Sequence, residues 1–183
     1  MDLRIATRPY RENDWQAVYA WVKDPSIKDN FRFTQRDLSE EDMQKFVQSQ
    51  IENEGKSDVS LVLYDLNDPE QSYIGSVSLK HIDEQDRNAE LAIVISKEEY
   101  RGKGYGQEAL YLVCEYGFRE RGLHKVYLTC VAHNTGAIKS YEKFGFIHEG
   151  LRKEQIFQHG QFHDEVLMGI LKKDFNSTYE MSL

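Results

Sequence analysis

The sequence predicts one mixed α/β domain: a central sheet of about seven strands with about four helices on its faces. Three observations predict it. The length of 183 residues is that of a single domain. Apolar residues make up 40% and charged residues 30%, with only three prolines, which excludes a collagenous, low-complexity or disordered chain. The apolar period switches in the order strand, two helices, three strands, helix, strand, helix, two strands, with no repeat or linker between. Residues 1–183 therefore read as one unit, with 172–183 expected to form a flexible C-terminal tail.

Residues 3–8 read as the first strand, which ends at Pro9. Asn13 is placed to cap a helix carrying Trp15, Val18, Tyr19 and Val22, and Asp24-Pro25 stops it. Ser39-Glu40-Glu41-Asp42 has the form of a capping box. The helix that follows carries Met43, Phe46, Val47 and Ile51 and is expected to end near Gly55. Residues 59–65, 73–82 and 89–95 read as an antiparallel meander, turning at Asn67-Asp68-Pro69 and Asp86-Arg87-Asn88. A glycine-rich segment, residues 100–106, then opens a helix over 107–121 with Ala109, Leu112, Val113 and Tyr116 on one face. Residues 125–131 form a short buried strand. Asn134 caps a helix carrying Ala137, Ile138, Tyr141 and Phe144, which Gly145 closes. Residues 146–157 and 166–171 read as a hairpin turning near His159-Gly160.

Charge narrows the partners. Lys and Arg number 23 and Asp and Glu 31, a net charge of −8, which repels phosphate backbones and argues against nucleic acid. A cationic small molecule or a basic peptide fits better. Cys114 and Cys130 cannot build a disulfide framework; both lie in apolar periodic surroundings and are expected as buried reduced thiols. The first ten residues do not resemble a signal peptide, and no apolar run approaches the ~18 residues of a membrane span. A cytoplasmic protein without a membrane partner is the expectation.

The most informative segment runs from Ile93 to Leu110, a strand, a glycine loop and a helix. Backbone N–H groups gathered at a helix N-terminus bind anions, pyrophosphate above all. Glycine permits close approach and positive φ there. The alternative is that Gly102, Gly104 and Gly106 merely shape a connection. The spacing G-x-G-x-G, late in the chain and after a meander, does not meet the dinucleotide fingerprint G-x-G-x-x-G. No Gly-Lys-Ser or Gly-Lys-Thr occurs, so the phosphate loop of ATP-binding proteins is also excluded.

Arg101-x-x-Gly104-x-Gly106 is similar to the acetyl-CoA signature of the GCN5-related N-acetyltransferase (GNAT) superfamily. The surroundings match as well: a strand before the loop, a helix and a strand after it, Asn134 opening a further helix, Tyr141 within that helix, and then Lys143-Phe144-Gly145-Phe146. Glu149-Gly150 and Gly160-Gln161-Phe162 resemble the branch of ribosomal-protein N-terminal and spermidine N-acetyltransferases. The likeness runs from residue 3 to about residue 171. It implies a mixed, mostly antiparallel sheet that splays at the strand before the loop.

The resemblance further implies acetyl-CoA as co-substrate, no metal, and an amine acceptor. Its pantetheine arm would pair with the backbone of Ile93, Val94 and Ile95. Its pyrophosphate would rest on N–H groups of Arg101, Gly102, Lys103, Gly104, Tyr105 and Gly106, and Asn134 would meet it while capping its helix. Asn134 and Tyr141 are seven positions apart, about two turns, and so share a helix face. Tyr141 would protonate the departing thiolate; a phenol at about 10 and a thiol at about 8.5 make that transfer downhill. An ordinary core aromatic is the alternative for Tyr141. An acceptor amine must first lose a proton, and Glu90, which shares a strand face with Ala92 and Val94, is the candidate base. A salt-bridging Glu90, Glu149 as base, or water alone stand beside it.

Other groups point elsewhere. His159 and His163 lack a companion ligand motif and read as a hairpin-tip pair, and His133 shapes a strand end. No His–Asp arrangement accompanies either cysteine, which disfavours an acyl-cysteine route. The chain departs from its relatives at Ser96-Lys97-Glu98-Glu99, where many have proline and one residue fewer. Residues 31–37 are net basic, where spermidine acetyltransferases carry an acidic cluster. The local feature that would name a polyamine is missing, and a polyamine-like small amine, a peptide N-terminus and an amino sugar stay open as acceptors. A non-catalytic acyl-CoA sensor and a phosphate-binding structural domain are the competing readings. Dimers are common among relatives, which makes a homodimer one candidate assembly.

Overall fold

Residues 2–28, 30–31, 37–53 and 58–179 are described in the computed structural model. Among them seven strands make one sheet: β1 Ile5–Arg8, β2 Val59–Asp65, β3 Gly75–Asp83, β4 Asn88–Ile95, β5 Lys125–Val131, β6 Ile147–Gln158 and β7 Gln161–Leu171. Their order is β1-β2-β3-β4-β5-β7-β6, and every neighbouring pair is antiparallel except β4 with β5.

Among the described residues six α-helices accompany the sheet, two more than the apolar periods suggest: α1 Asp14–Lys23, α2 Pro25–Lys28, α3 Glu40–Glu52, α4 Tyr105–Glu115, α5 Thr135–Phe144 and α6 Lys172–Tyr179. One addition, α2, is a single turn. The other, α6, occupies most of the stretch expected as a flexible tail. Its Phe175 is fully buried, with ring centroids 5.2 Å from Phe118 and 6.2 Å from Phe144. Burial of that aromatic side chain, worth about 1.5–3 kcal/mol, contributes to docking the helix.

Strand alternation divides the side chains between two layers. Ala89 and Leu91 of β4, Val126 and Leu128 of β5 and the even residues of β7 pack beneath α4. Val62 and Val94 face the other way, against Tyr10, Trp21, Met43 and Val47. The helix starts obey local chemistry. At Ser39 the capping box closes: Asp42 N–H donates to Ser39 Oγ at 3.2 Å and Ser39 N–H to Asp42 Oδ2 at 2.8 Å. Asn13 makes no side-chain cap. Asp14 takes over instead, accepting from Arg11 N–H at 2.7 Å and from two Arg8 guanidinium nitrogens at 2.8 Å. Both partners of that ion pair are buried, so each charge needs the other.

The helix expected over 107–121 begins earlier, at Tyr105, and widens after Glu115 into a π turn, Tyr116–Glu120. Residues 32–36 and the expected end of α3 near Gly55 lie outside the described residues. One feature of the sheet creates the site. Strands β4 and β5 pair only at Asn88–Lys125, Ala89–Val126 and Glu90–Tyr127, and then part.

Candidate active site

The gap between the diverging strands opens into a cleft of about 1270 Å³ that is lined from both faces of the sheet. Its backbone can be assigned from register. Ser96 N–H donates to the Ile74 carbonyl at 2.9 Å, and β3 pairs Ser76 with Val94 and Val77 with Ile93. Bonded pairs alternate in an antiparallel ladder. Ala92 and Val94 therefore spend their backbone groups on β3, while Ile93 turns its N–H and C=O into the gap. The Ile95 carbonyl already accepts from Arg101 Nε at 3.0 Å. Of the three residues expected to meet a pantetheine arm, Ile93 offers both groups and Ile95 its N–H. Val94 offers neither; its side chain is buried against α1 and α3.

The glycine loop follows a 3₁₀ turn, Glu98–Tyr100. Arg101 departs from the expected direct contact. Its N–H donates to Glu98 O at 2.9 Å, and its guanidinium bonds Ile95 O, Ser96 O and Ser26 Oγ and pairs with Asp24 at 3.4 Å. It is a staple between the loop, the end of β4 and α2. The N–H groups of Gly102, Lys103, Gly104, Tyr105 and Gly106, by contrast, meet no acceptor among the described residues. They surround the first turn of α4, where the macrodipole adds its positive end. Gly104 caps that helix at φ +90°, and a Cβ there would lie 3.3 Å from Arg4 Nη2. Arg4 braces the loop, donating to Lys103 O at 2.9 Å and from Nε to the buried Glu108 at 2.6 Å. Its guanidinium lies 3.9 Å above the Tyr105 ring.

Asn134 caps α5 as expected, its Oδ1 accepting from Ala137 N–H at 3.2 Å. Two turns on, Tyr141 is half-buried and faces the cleft, its ring 5.9 Å from Phe146. Its hydroxyl makes no hydrogen bond to a described residue. Burial, and after it the Cys130 thiol, hold the phenol well above its ordinary value of 10. Tyr141 is thus a protonated phenol on the cleft wall.

Glu90 enters from the opposite sheet face, with Ala92 and Val94, as strand alternation predicts. Its carboxylate lies 3.0 Å from His81 Nδ1 and accepts from Thr129 Oγ1 at 3.4 Å. Glu149 is not on the cleft; it pairs with Lys125 at 2.7 Å. His163 stacks edge-on against His133 at 4.9 Å, and no described group of His, Cys, Asp and Glu is placed to hold a metal.

Several cleft residues escape a reading of the sequence. Gln107 and Ser140 link α4 to α5, and Lys139 and Lys143 stand one turn apart on the α5 rim. Glu165 of β7 is fully buried on the cleft, paired with Arg152 at 3.0 Å. Cys114 is a core thiol, but Cys130 lines the cleft, because β5 turns it toward Tyr141. Only the lysine pair has a sequence signal, its i, i+4 spacing.

Residues 4–147 match the Acetyltransferase (GNAT) domain. The chain belongs to the GNAT family of N-acetyltransferases. It is 29% identical to the uncharacterized N-acetyltransferase YnaD of Bacillus subtilis, over 94% of this chain and 96% of that one. It is 34% identical to spermidine N(1)-acetyltransferase of Vibrio cholerae over 60% of this chain and 63% of that one, under two thirds of either length. The crystal structure of spermidine N-acetyltransferase from Vibrio cholerae in complex with CoA and spermine superposes with a TM-score of 0.81 at 25% identity, covering 94% of this chain and 98% of that one. The GNAT fold thus extends over nearly the whole chain. No helix among the described residues is long and apolar enough to cross a membrane.

Proposed function

We propose that this GNAT enzyme transfers an acetyl group from acetyl-CoA to a primary amine by direct attack. The unpartnered Tyr141 phenol, across the cleft from the free backbone of Ile93, carries the reading. The N–H groups of residues 102–106 hold the pyrophosphate, and Ile93 and Ile95 take the pantetheine arm. Arg101 shapes this surface from behind, and Asn134 orders the start of α5 beside it. Lys139 and Lys143 add positive charge along the same rim.

The amine nitrogen attacks the thioester carbonyl, and a backbone N–H of β4 stabilises the oxyanion. The C–N bond forms and the C–S bond breaks. The amine proton goes to Glu90, directly or through water, and the thiolate takes a proton from Tyr141, which recovers it from solvent. The acceptor is a small amine or a peptide N-terminus. The Vibrio cholerae enzyme crystallised with CoA and spermine supports this class.

A thiol-release screen with acetyl-CoA across polyamines, amino sugars, amino acids and peptides tests it. One responding class is the expected result. Stabilisation by acetyl-CoA with no thiol released by any amine would favour the acyl-CoA sensor instead.

A further inference from the structure

We propose that the acceptor presents one ammonium group on an apolar body of aromatic size, and is not a polyamine; the inference rests on reading the cleft as an acetyl-transfer site. Two features of the cleft's α1–α3 side carry it, the chemistry of its wall and its supply of free carboxylates.

The wall is carbon. Tyr10, Trp21 and Phe46 line it, with small Ser60 and Ser76 beneath them on the sheet leaving space for a bulky group. The polar atoms beside the rings pair with one another. Trp21 Nε1 donates to the Tyr73 hydroxyl at 3.1 Å, and that hydroxyl donates to Ser76 Oγ at 3.2 Å. Tyr10, Trp21, Met43 and Phe46 thus present ring and carbon surface to a ligand, which favours an apolar or aromatic partner.

A polyamine needs several carboxylates spaced along its length. Three described carboxylates line the cleft, Asp42, Glu90 and Glu165. Asp42 is an exposed carboxylate at the start of α3, its Oδ2 holding Ser39 N–H at 2.8 Å and the Ser39 hydroxyl at 2.7 Å. Glu165 is paired with Arg152 at 3.0 Å. Glu90 stands where the strands part, held by an exposed His81 and by Thr129, with Lys80 opposite it in register. That arrangement suits one ammonium, with the Lys80 ammonium on the neighbouring strand to repel a second.

The test measures amine binding to the protein saturated with CoA, and kcat/KM with acetyl-CoA. It compares phenethylamine and tryptamine with putrescine and spermidine, and compares peptides beginning with Phe or Leu with those beginning with Ser. The aromatic amines or the Phe and Leu peptides are expected to bind at least tenfold more tightly than spermidine; whichever set leads identifies the source of the apolar body. Phe46→Ala should reduce that preference at least tenfold, and Phe46→Leu should keep part of it, with stabilisation by acetyl-CoA reporting that both variants fold. Equal or tighter binding of spermidine, or an unchanged preference in Phe46→Ala, would overturn the proposal. Tight aromatic-amine binding without turnover would leave it standing and count against the transfer chemistry instead.

Discussion

Gln107 Nε2 donates to both the carbonyl oxygen and the hydroxyl of Ser140, at 2.8 and 2.9 Å. Gln107 lies in the first turn of α4, beside the glycine loop, and Ser140 immediately precedes Tyr141. Two hydrogen bonds thus tie the glycine loop, the proposed pyrophosphate site, to the proposed proton donor. Gln107→Ala is expected to cost about 1–2 kcal/mol of stability. It should also raise KM for acetyl-CoA several-fold and lower kcat, which steady-state kinetics and urea unfolding would measure. Loss of stability with both kinetic constants unchanged would reduce the pair to a structural bond.

Tyr141→Phe removes one hydroxyl and keeps the ring against Phe146. It should lower kcat by roughly a hundredfold, within the range for a lost general acid, and leave acetyl-CoA binding within about twofold. Burial keeps the wild-type phenol protonated beyond pH 10. A kcat profile should therefore show no alkaline fall assignable to this group below that pH.

Gly104→Ala places a Cβ at φ +90° and 3.3 Å from Arg4 Nη2. The left-handed backbone alone costs about 1–2 kcal/mol. The loop is expected to shift, with acetyl-CoA affinity falling at least tenfold in a calorimetric titration. Unaltered affinity would show that the loop amides do not hold the pyrophosphate.

Alkaline stability follows from buried acids. Burial pushes Tyr10 up to about 12 and Cys130 up to about 11, and holds Tyr73 and Tyr141 well above 10. An unfolded chain releases these protons near its ordinary values, 9 for the thiol and 10 for the phenols. Between those values and the folded ones the unfolded state binds fewer protons, so stability falls as pH rises. Below pH 9 the contribution is fully present. Each lagging group steepens the fall by about 1.4 kcal/mol per pH unit. Urea unfolding from pH 8 to 11 should show the decline, and Tyr10→Phe should flatten it by one group's share above pH 10.

Local chemistry was readable wherever neighbours in sequence carry it. The β-branched run 125–131, the Ser39 capping box and the Asn134 cap involve residues within a few positions of one another. Phe175 was not readable, because its partners Phe118 and Phe144 lie far back in the chain. Arg101 resembles a phosphate ligand in its motif, yet its guanidinium is claimed by carbonyls and by Ser26, contacts set only by the folded chain. Val94 and Ile93 differ by one residue of register, which sends their backbone groups to opposite edges of β4. Cys130 and Glu165 reach the cleft for a similar reason: strand parity decides which face a side chain takes, and the sequence leaves that parity open.

The central claim concerns where the sulfur of the coenzyme lies, so a crystal structure of the protein with CoA tests it most directly. The account predicts the diphosphate on the amides of residues 102–106 and the thiol within hydrogen-bond reach of the Tyr141 hydroxyl, beside Ile93. A diphosphate bound elsewhere, or a thiol remote from that phenol, would contradict it.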